Sequence, residues 1–298
     1  MSAFSSEEVR SPRWSLHLLA ALWGFVSFLF RGLLRLFFPS SSSSSFKPIP
    51  LVELPVCPPR QIPLPSSSST AVALPDSADT PDDLPKLTVV LDLDETLVWA
   101  CETSSLPASI HEHAVDAGLK WFHLECISTD KDNEGKSKIN HVTVFERPGL
   151  QEFLGQVCQF ADLVLFTAGL EGYAGPLVDR IDAENRFSRR LYRPSTISTE
   201  YREHVKDISS LSRDLSRTVI VDNNPFSFLL QPLNGIPCVS FSAAHPRDDQ
   251  LLTVILPLLK ELSQQGDVRS LLRERFHMPQ WFQSRGIPAS FWSSGRQT

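Results

Sequence analysis

The chain has 298 residues, of which 42% are hydrophobic and 21% are charged, and its formal net charge at pH 7 is −6. This length suits one or two domains, and the acidic charge argues against a protein that mainly coats nucleic acid. The prolines are distributed unevenly, because 11 of the 23 lie between Pro39 and Pro85. We therefore expect a folded unit that begins near residue 86 and no direct binding of nucleic acid.

The first 38 residues contain an apolar stretch. From Trp14 to Phe30 there are 17 consecutive residues without Asp, Glu, Lys or Arg. A transmembrane helix needs about 17–25 predominantly apolar residues, so we interpret residues 1–38 as a membrane-anchor segment. A transmembrane span, a shallow hairpin and a helix lying on the membrane surface all stay open. Arg31 and Arg35 follow the stretch, which favours a cytoplasmic position for the remainder of the chain.

Residues 39–85 are predicted to form a disordered linker. The segment contains unbroken serine runs at Ser40–Ser45 and Ser66–Ser69. Its prolines interrupt both helical and sheet hydrogen bonding, so neither regular structure can extend through it. This composition is typical of an extended, semi-flexible tether between two parts of a protein.

The cysteine pattern gives no sign of a disulfide framework or a structural zinc site. The chain has five cysteines, which is an odd number, and no two of them are spaced as C-x-x-C. We therefore expect buried or incidental thiols in a reducing compartment.

Strands and helices are predicted to alternate from Lys86 onward. Short runs of β-branched and apolar residues predict buried strands at Leu87–Leu91, Leu163–Phe166, Thr218–Val221 and Ile236–Phe241. Helical spacing of apolar residues predicts helices at Phe153–Phe160, Leu170–Ile181 and Leu251–Leu262, the last with a kink at Pro257. This alternation predicts an α/β domain over residues 86–280, with a parallel sheet covered by helices on both faces. Residues 281–298 are interpreted as a C-terminal tail.

The region from Cys101 to Asn140 does not follow this alternation. Trp121–Leu124 and His141–Phe145 alternate in strand fashion on either side of a charged loop, Asp130–Lys136. We interpret them as a β-hairpin inserted after the first strand. Because functional sites of open α/β sheets lie at the carboxyl ends of the strands, this insertion would line the site and help to select the substrate.

Polar residues follow three of the predicted strands. Asp92–Leu97, read as Asp-Leu-Asp-Glu-Thr-Leu, comes directly after the first, Thr167–Gly169 after the second and Asp222–Pro225 after the third. Two aspartates at the end of a buried strand are costly unless a cation binds there, and Mg²⁺ prefers such oxygen ligands. Small residues after Thr167 would let a phosphate approach backbone N–H groups. Lys206 lies in the segment between the second and third of these strand ends.

The segment Asp92–Leu97 resembles the DxDxT first motif of the haloacid dehalogenase (HAD) phosphatase superfamily. Further segments are similar to successive blocks of its FCP/SCP branch, namely Glu146–Gly149, Phe166–Gly169, His204–Ser209 and Val221–Pro225. This branch contains protein serine/threonine phosphatases related to those that act on the C-terminal tail of RNA polymerase II. The resemblance covers roughly residues 86–276 and implies a HAD-like, Rossmannoid fold with a phosphoserine or phosphothreonine protein as substrate.

The resemblance also implies catalytic roles. Asp92 would be the nucleophile that forms an aspartyl-phosphate intermediate. Asp94 would donate a proton to the leaving alkoxide and then activate the attacking water as a base. The cofactor would be Mg²⁺, held by Asp92, the backbone carbonyl of Asp94 and Asn223.

Further roles concern the phosphoryl group. Thr167 would hydrogen-bond the transferred group and Lys206 would neutralise it, while Asp222 would orient the metal site or Lys206. Arg193 occupies a place where the family has an arginine near the phosphate. The turn reads Thr-Ala-Gly where the family usually has Thr-Ala-Ser, and residues 194–202 differ more, which leaves the substrate contacts open.

An apolar anchor, a linker and this domain together resemble the Dullard-type nuclear-envelope phosphatases. That subgroup implies the endoplasmic reticulum and nuclear envelope, a small membrane regulatory subunit and lipin-type phosphatidate phosphatases as substrates. Two alternatives stay open: a soluble phosphatase of the polymerase tail, and a mitochondrial import receptor subunit with the same fold. Such receptors need not keep the catalytic aspartates, so Asp92 and Asp94 favour an enzyme.

Overall fold

The computed structural model describes residues 84–131, 137–211 and 214–293. The expected anchor segment, residues 1–38, lies outside the described residues, and so does nearly all of the expected linker, 39–85. Among the residues that are described, no helix is both long enough and apolar enough to cross a membrane.

The regular elements of the described residues alternate as the sequence predicts. The strands are β1 (Leu87–Leu91), β2 (Val98–Glu102), β3 (Trp121–Lys131), β4 (Ser137–Glu146), β5 (Ala161–Phe166), β6 (Phe187–Leu191), β7 (Thr218–Asp222) and β8 (Gly235–Pro237). The α-helices are α1 (Ala108–Asp116), α2 (Leu150–Val157), α3 (Glu171–Ile181), α4 (Leu256–Ser263), α5 (Val268–Phe276), α6 (Met278–Gln283) and α7 (Ser290–Ser293).

Five strands form the central parallel sheet, in the order β6-β5-β1-β7-β8. Every residue of β1 and β7 is buried, as expected of strands covered on both faces. Successive residues of β1 point to opposite faces, so Val89 and Leu91 pack with helices α2 to α5 on one side. Val90 packs on the other side with Met278, Phe282 and their neighbours. The predicted α/β fold with a parallel sheet between two layers is confirmed.

The inserted region is larger than the predicted hairpin. Strands β3 and β4 do form an antiparallel pair, but β2 joins them in a three-stranded sheet of order β2-β4-β3. Helix α1 lies between β2 and β3 in the chain, and its Ala114 packs with Phe145 and Phe241 in a small separate core. Burial in β2 is mixed, since Val98 is buried, the next three residues are half-buried and Glu102 is exposed, which is why a search for buried apolar runs does not find the strand.

Three other elements differ from the prediction. The expected strand Ile236–Phe241 ends at Pro237, and the chain continues from there as a loop. The expected helix Leu251–Leu262 begins with a π-helical turn, Leu251–Ile255, and Pro257 lies in the first turn of α4, where proline is tolerated. Strand β6 was not predicted, because its middle residues Ser-Arg-Arg are polar and it lies at the sheet edge.

The packed structure continues past residue 280, where the sequence placed the start of a tail. Helix α6 spans that position, and its Phe282 is fully buried against Phe226, Phe228 and Trp281. Ile287 is buried in the same cluster. These aromatic residues cover the face of the sheet opposite to helices α2 to α5.

Candidate active site

The carboxyl ends of β1, β5 and β7 bring the predicted site residues to one edge of the sheet. In the parallel register Leu91 is paired with Leu165 of β5 and with Val221 of β7. Asp92 therefore lies level with Asp222, and its backbone N–H donates to the carbonyl of Val221 at 3.0 Å. Thr167 follows β5 at nearly the same level. The sheet itself thus explains why residues far apart in the chain meet here.

Lys206 is buried between two carboxylates. Its ammonium group donates to Asp92 Oδ1 and, at 2.6 Å, to Asp222 Oδ2, and only 1% of the residue is exposed. Burial by itself would lower the pKa of Lys206, but the carboxylates of Asp222 and Asp92 outweigh burial and raise the pKa. The lysine is therefore a fixed positive charge at the strand ends.

Asp222 is held in place by its neighbours. It accepts a hydrogen bond from the backbone N–H of Asn224 at 2.8 Å in addition to the bond from Lys206. Burial, together with the nearby carboxylate of Asp92, raises the pKa of Asp222, and the ammonium of Lys206 opposes that shift. Two ionised carboxylates and one ammonium leave a net charge of about −1 in this cluster, which attracts a further cation.

Thr96 joins Asp92 to Asn223, a role for which the sequence gave no assignment. Its hydroxyl donates to Asp92 Oδ2 at 2.9 Å and accepts the backbone N–H of Asn223 at 3.2 Å. The residue is fully buried. Thr96 is the threonine of the DxDxT motif, so the motif itself was the signal in the sequence that could have marked Thr96 as a site residue.

The side-chain amide of Asn223 is oriented by two acceptors. Its Nδ2 donates to Ser240 Oγ at 3.0 Å and to Glu95 Oε2 at 3.2 Å. Its Oδ1 lies 3.3 Å from Thr96 Oγ1. The amide oxygen of Asn223 therefore lies beside the same hydroxyl that hydrogen-bonds Asp92.

The donor set at this point fits a hard divalent cation. Oxygen atoms of Asp92 and Asn223 both lie beside the Thr96 hydroxyl, and the backbone carbonyl of Asp94 is the third ligand that the sequence predicts; all three are oxygen ligands of the kind that Mg²⁺ prefers. In the parts of the chain that are described, no cluster of three or more His, Cys, Asp or Glu side chains is suited to a metal. The mixed set at the end of β1 is the candidate that the sequence predicted.

Asp94 has a hydrogen-bond partner on helix α3. The hydroxyl of Tyr173 donates to Asp94 Oδ1 at 2.5 Å. Burial raises the pKa of Asp94 to about 6, although the hydrogen bond from Tyr173 lowers it. Tyr173 was predicted only as part of the apolar face of the helix, and its polar contact spans 79 residues of sequence.

Thr167 and Arg193 meet at the turn after β5. Thr167 is buried and accepts the backbone N–H of Gly169 at 2.9 Å. A Cβ at Gly169 would lie 3.2 Å from Thr167 Oγ1 and 3.3 Å from Tyr173 Cδ1, so a larger residue would require a small shift of these neighbours. Arg193 is exposed and donates from Nε to the carbonyl of Ala168 at 2.6 Å. The structure thus brings every predicted site residue to the same edge of the sheet.

Fold and site together define an α/β protein whose acidic strand ends and buried lysine suit phosphoryl transfer. Residues 87–269 match the family model described as NLI interacting factor-like phosphatase. The chain belongs to this family, which is the FCP/SCP resemblance that the motifs indicated.

Relatives named for the RNA polymerase II tail and relatives named for the nuclear envelope have similar sequence identity to this chain. "Carboxy-terminal domain RNA polymerase II polypeptide A small phosphatase 1" of Homo sapiens is 32% identical, over 71% of this chain and 72% of its own length. "CTD nuclear envelope phosphatase 1 homolog" of Drosophila melanogaster is 34% identical, over 64% of this chain and 73% of its own length.

Other relatives are longer. "CTD small phosphatase-like protein 2" of Dictyostelium discoideum is 35% identical. The alignment includes 66% of this chain but only 31% of that protein. A second Dictyostelium relative, "Probable C-terminal domain small phosphatase", is covered over 54% of its length. Among solved structures, Fcp1, an essential RNA polymerase II CTD phosphatase, overlaps 70% of this chain and 56% of its own, with 21% identity and a TM-score of 0.41.

Proposed function

We propose that this chain is a Mg²⁺-dependent protein serine/threonine phosphatase that acts through an aspartyl-phosphate on Asp92. The observation that carries the proposal is the buried Lys206 ammonium, which hydrogen-bonds both Asp92 and Asp222 at the carboxyl ends of β1 and β7. A carboxylate and a phosphate dianion repel each other, so attack requires fixed positive charge beside both of them. Lys206 supplies that charge.

In the first step Asp92 attacks phosphorus and the seryl or threonyl oxygen leaves. Thr96 donates a hydrogen bond to Asp92 Oδ2, which leaves the other oxygen of that carboxylate, bonded to Lys206, in a defined position. Asp94, with a pKa raised to about 6, gives a proton to the leaving oxygen. Thr167 and Lys206 bind the oxygens of the transferred group.

In the second step water hydrolyses the aspartyl-phosphate. The carboxylate of Asp94, now without its proton, takes a proton from the attacking water. Tyr173 holds Asp94 by its 2.5 Å hydrogen bond, so that one carboxyl serves both steps from one position. Asp222 keeps Lys206 charged and in place throughout.

The metal ion belongs to the proposal because of the donor set. Asp92, the carbonyl of Asp94 and Asn223 would hold Mg²⁺, and when bound it would neutralise negative charge on the phosphoryl group. With this ion the cluster of Asp92, Asp222 and Lys206 would change from about −1 to about +1, which suits a dianionic substrate.

The chemical test of the proposal is to trap the intermediate. A phosphopeptide labelled with ³²P is mixed with the full-length protein and Mg²⁺, and the reaction is stopped with acid within milliseconds. We expect label on the protein that hydroxylamine releases, as acyl phosphates require, and no such label on Asp92→Asn. Turnover of the peptide without any protein-bound label, over the whole time course, would contradict the covalent step.

We further propose that the chain comprises a membrane anchor, a linker and a catalytic domain that begins near residue 86 and extends past residue 280, as the buried Phe282 and Ile287 indicate. The basis is the apolar stretch from Trp14 to Phe30 and the proline-rich residues that follow it. In this proposal the protein resides at the endoplasmic reticulum or nuclear envelope, with the catalytic domain facing cytoplasm or nucleoplasm. A small membrane subunit would be its partner, and lipin-type phosphatases would be candidate substrates.

A second candidate is a soluble phosphatase of the RNA polymerase II tail. Relatives with that name are about as similar to this chain as those named for the nuclear envelope. Fractionation of cells expressing tagged full-length protein, compared with a variant that lacks residues 14–38, separates the two. Recovery of the full-length protein in membranes that resist carbonate washing, and release by the deletion, supports the anchor. Recovery of both forms in the soluble nuclear fraction would favour the polymerase tail, and recovery in mitochondria would favour an import receptor.

A further inference from the structure

Arg147 is a buried arginine close to the candidate active site. It directly follows β4, its side chain is 0% exposed, and its backbone N–H donates to the carbonyl of Leu97 at 3.0 Å. A buried guanidinium is costly unless each of its donors finds an acceptor. The acceptors that it uses lie in two loops that surround the carboxyl ends of β1 and β7.

The first set of acceptors belongs to Asp248. Arg147 Nε donates to Asp248 Oδ1 and Arg147 Nη2 donates to Asp248 Oδ2, both at 2.8 Å. This two-point pairing fixes the plane of the guanidinium, because the fork of donors matches the two carboxylate oxygens. The ring of Phe241 lies 5.7 Å from the guanidinium carbon and packs beside it.

With its plane fixed, Arg147 reaches the motif that follows β1. Its Nη1 donates to the backbone carbonyl of Thr96 at 3.0 Å. The hydroxyl of the same Thr96 donates to Asp92 Oδ2 at 2.9 Å and accepts the N–H of Asn223. Arg147 therefore holds one end of Thr96, while the other end holds the nucleophile candidate.

Arg147 also fixes the loop after β8. Its Nη2 donates to the carbonyl of Val239 at 3.0 Å. On either side of Val239, the N–H of Cys238 donates to the carbonyl of Asp222 at 3.2 Å and that of Phe241 to the carbonyl of Glu95 at 2.7 Å. The loop thus contacts both the end of β7 and the turn that carries Asp94.

From these contacts we propose that Arg147 and Asp248 form a positioning pair that sets the geometry of Asp92 through Thr96. Neither residue touches the reacting atoms, so the pair acts on the rate of phosphoryl transfer and leaves substrate binding unchanged. The inference rests on the proposed function, because it assigns to Asp92 the part of nucleophile.

The test compares Arg147→Lys, Asp248→Asn and the double variant with the wild type, as full-length proteins. Lysine keeps the positive charge but loses the fork, and asparagine keeps the shape of aspartate but loses one of the two paired acceptors. A matched control is Arg217→Lys. Arg217 is also buried and bonds backbone carbonyls of Pro85 and Ser263, both at 2.9 Å, at the opposite end of β7.

The readout is kcat and KM for an aryl phosphate, measured below the melting temperature of each variant. We expect Arg147→Lys and Asp248→Asn to lower kcat by about 10- to 100-fold with KM nearly unchanged. The double variant should lose no more than the worse single variant, because the two residues act as one unit. Arg217→Lys should lower the melting temperature and leave kcat of the folded protein unchanged.

Values of kcat within about twofold of wild type for both single variants would overturn the inference, and so would a rise in KM that accounts for the whole loss. If Arg147→Lys does not fold, the kcat of Asp248→Asn tests the inference. The carboxylate of Asp248 is partly exposed, so asparagine should be tolerated better at this position. Asp92→Asn is run alongside. If that variant is as active as wild type, the proposed function fails; if it is inactive while the positioning variants are normal, only this inference fails.

Discussion

At the scale of single residues, proton transfer by Asp94 determines whether the proposed site can release an alkoxide, which is a poor leaving group. Burial raises its pKa to about 6, so the carboxyl is partly protonated near neutral pH. Such a group can give a proton to a departing alkoxide and take one from water afterwards. An aryl oxide leaves without a proton, so an aryl phosphate needs Asp94 only in the second step, whereas an alkyl phosphate needs it in both steps.

We therefore expect Asp94→Asn to show burst kinetics with an aryl phosphate. The first step should proceed, releasing about one equivalent of aryl oxide, and hydrolysis of the aspartyl-phosphate should then be slower by about 10²- to 10⁴-fold for want of a base. With a phosphoserine peptide both steps need Asp94, so no burst should occur. Stopped-flow absorbance measures the first case and quenched-flow phosphate release the second. An aryl phosphate trace that is linear at the wild-type rate would contradict the role of Asp94.

The residues that follow strands could be predicted from the sequence, whereas those that hold them in place could not. Asp92, Thr167 and Asp222 each come directly at the end of a buried run, and the shared edge of a parallel sheet predicts that they meet. Tyr173 and Arg147 act through contacts with residues far away in the chain, such as Asp94 and Asp248. No local pattern reports such pairs, because three-dimensional packing alone brings them together.

At the scale of elements, the start of α2 depends on a glycine. Gly149 has φ +77°, and an added Cβ would lie 2.6 Å from the side chain of Leu252. Gly155 lies inside the same helix, and a Cβ there would meet no atom within 4 Å. The two glycines therefore offer a matched pair of substitutions with opposite expected effects.

Gly149→Ala should lower the free energy of unfolding by about 1–3 kcal/mol, from left-handed backbone strain and from overpacking against Leu252. Gly155→Ala should raise the free energy of unfolding by about 0.5–1 kcal/mol, because alanine favours the helix and lowers the conformational entropy of the unfolded chain. Urea unfolding measures both. Equal effects of the two substitutions would contradict the assigned conformation of Gly149.

Strands that are buried and apolar could be predicted from the sequence. Strands that form mainly because they pair with a neighbouring strand could not. Strands β1, β5 and β7 are mostly apolar, and all of their residues except Asp162 are buried. Strand β2 has mixed burial and becomes a strand through its pairing with β4, and β6 is a polar edge strand. Hydrophobic periodicity carries little information about such strands, since their stability comes from hydrogen bonding to a neighbour.

At the scale of the whole molecule, an acidic chain must provide local positive charge to receive a phosphorylated protein. The formal net charge is −6, and the cluster of Asp92, Asp222 and Lys206 is itself negative when both carboxylates are ionised. Lys206 alone cannot offset this charge, so the proposal requires Mg²⁺. The overall domain type was predictable because strands and helices alternate over the catalytic part of the chain outside the inserted antiparallel sheet.

Removal of Mg²⁺ should therefore abolish turnover. We expect a chelator to stop hydrolysis of an aryl phosphate, added Mg²⁺ to restore it, and Ca²⁺ to fail because it prefers more ligands at longer distances. Mg²⁺ should also raise the melting temperature, since a ligand that binds only the folded state stabilises it. Full activity after exhaustive chelation would contradict the metal requirement.

The most direct test of the account is the rate of Mg²⁺-dependent aryl phosphate hydrolysis by Asp92→Asn, compared with wild type and with Asp179→Asn. Asp179 lies on α3 with its side chain 70% exposed, so it controls for the loss of one carboxylate. Thermal unfolding of each protein verifies that it is folded. We predict a loss of at least about 10³-fold for Asp92→Asn, because an amide cannot act as the nucleophile, and no loss for Asp179→Asn. Equal rates for Asp92→Asn and wild type would contradict the account.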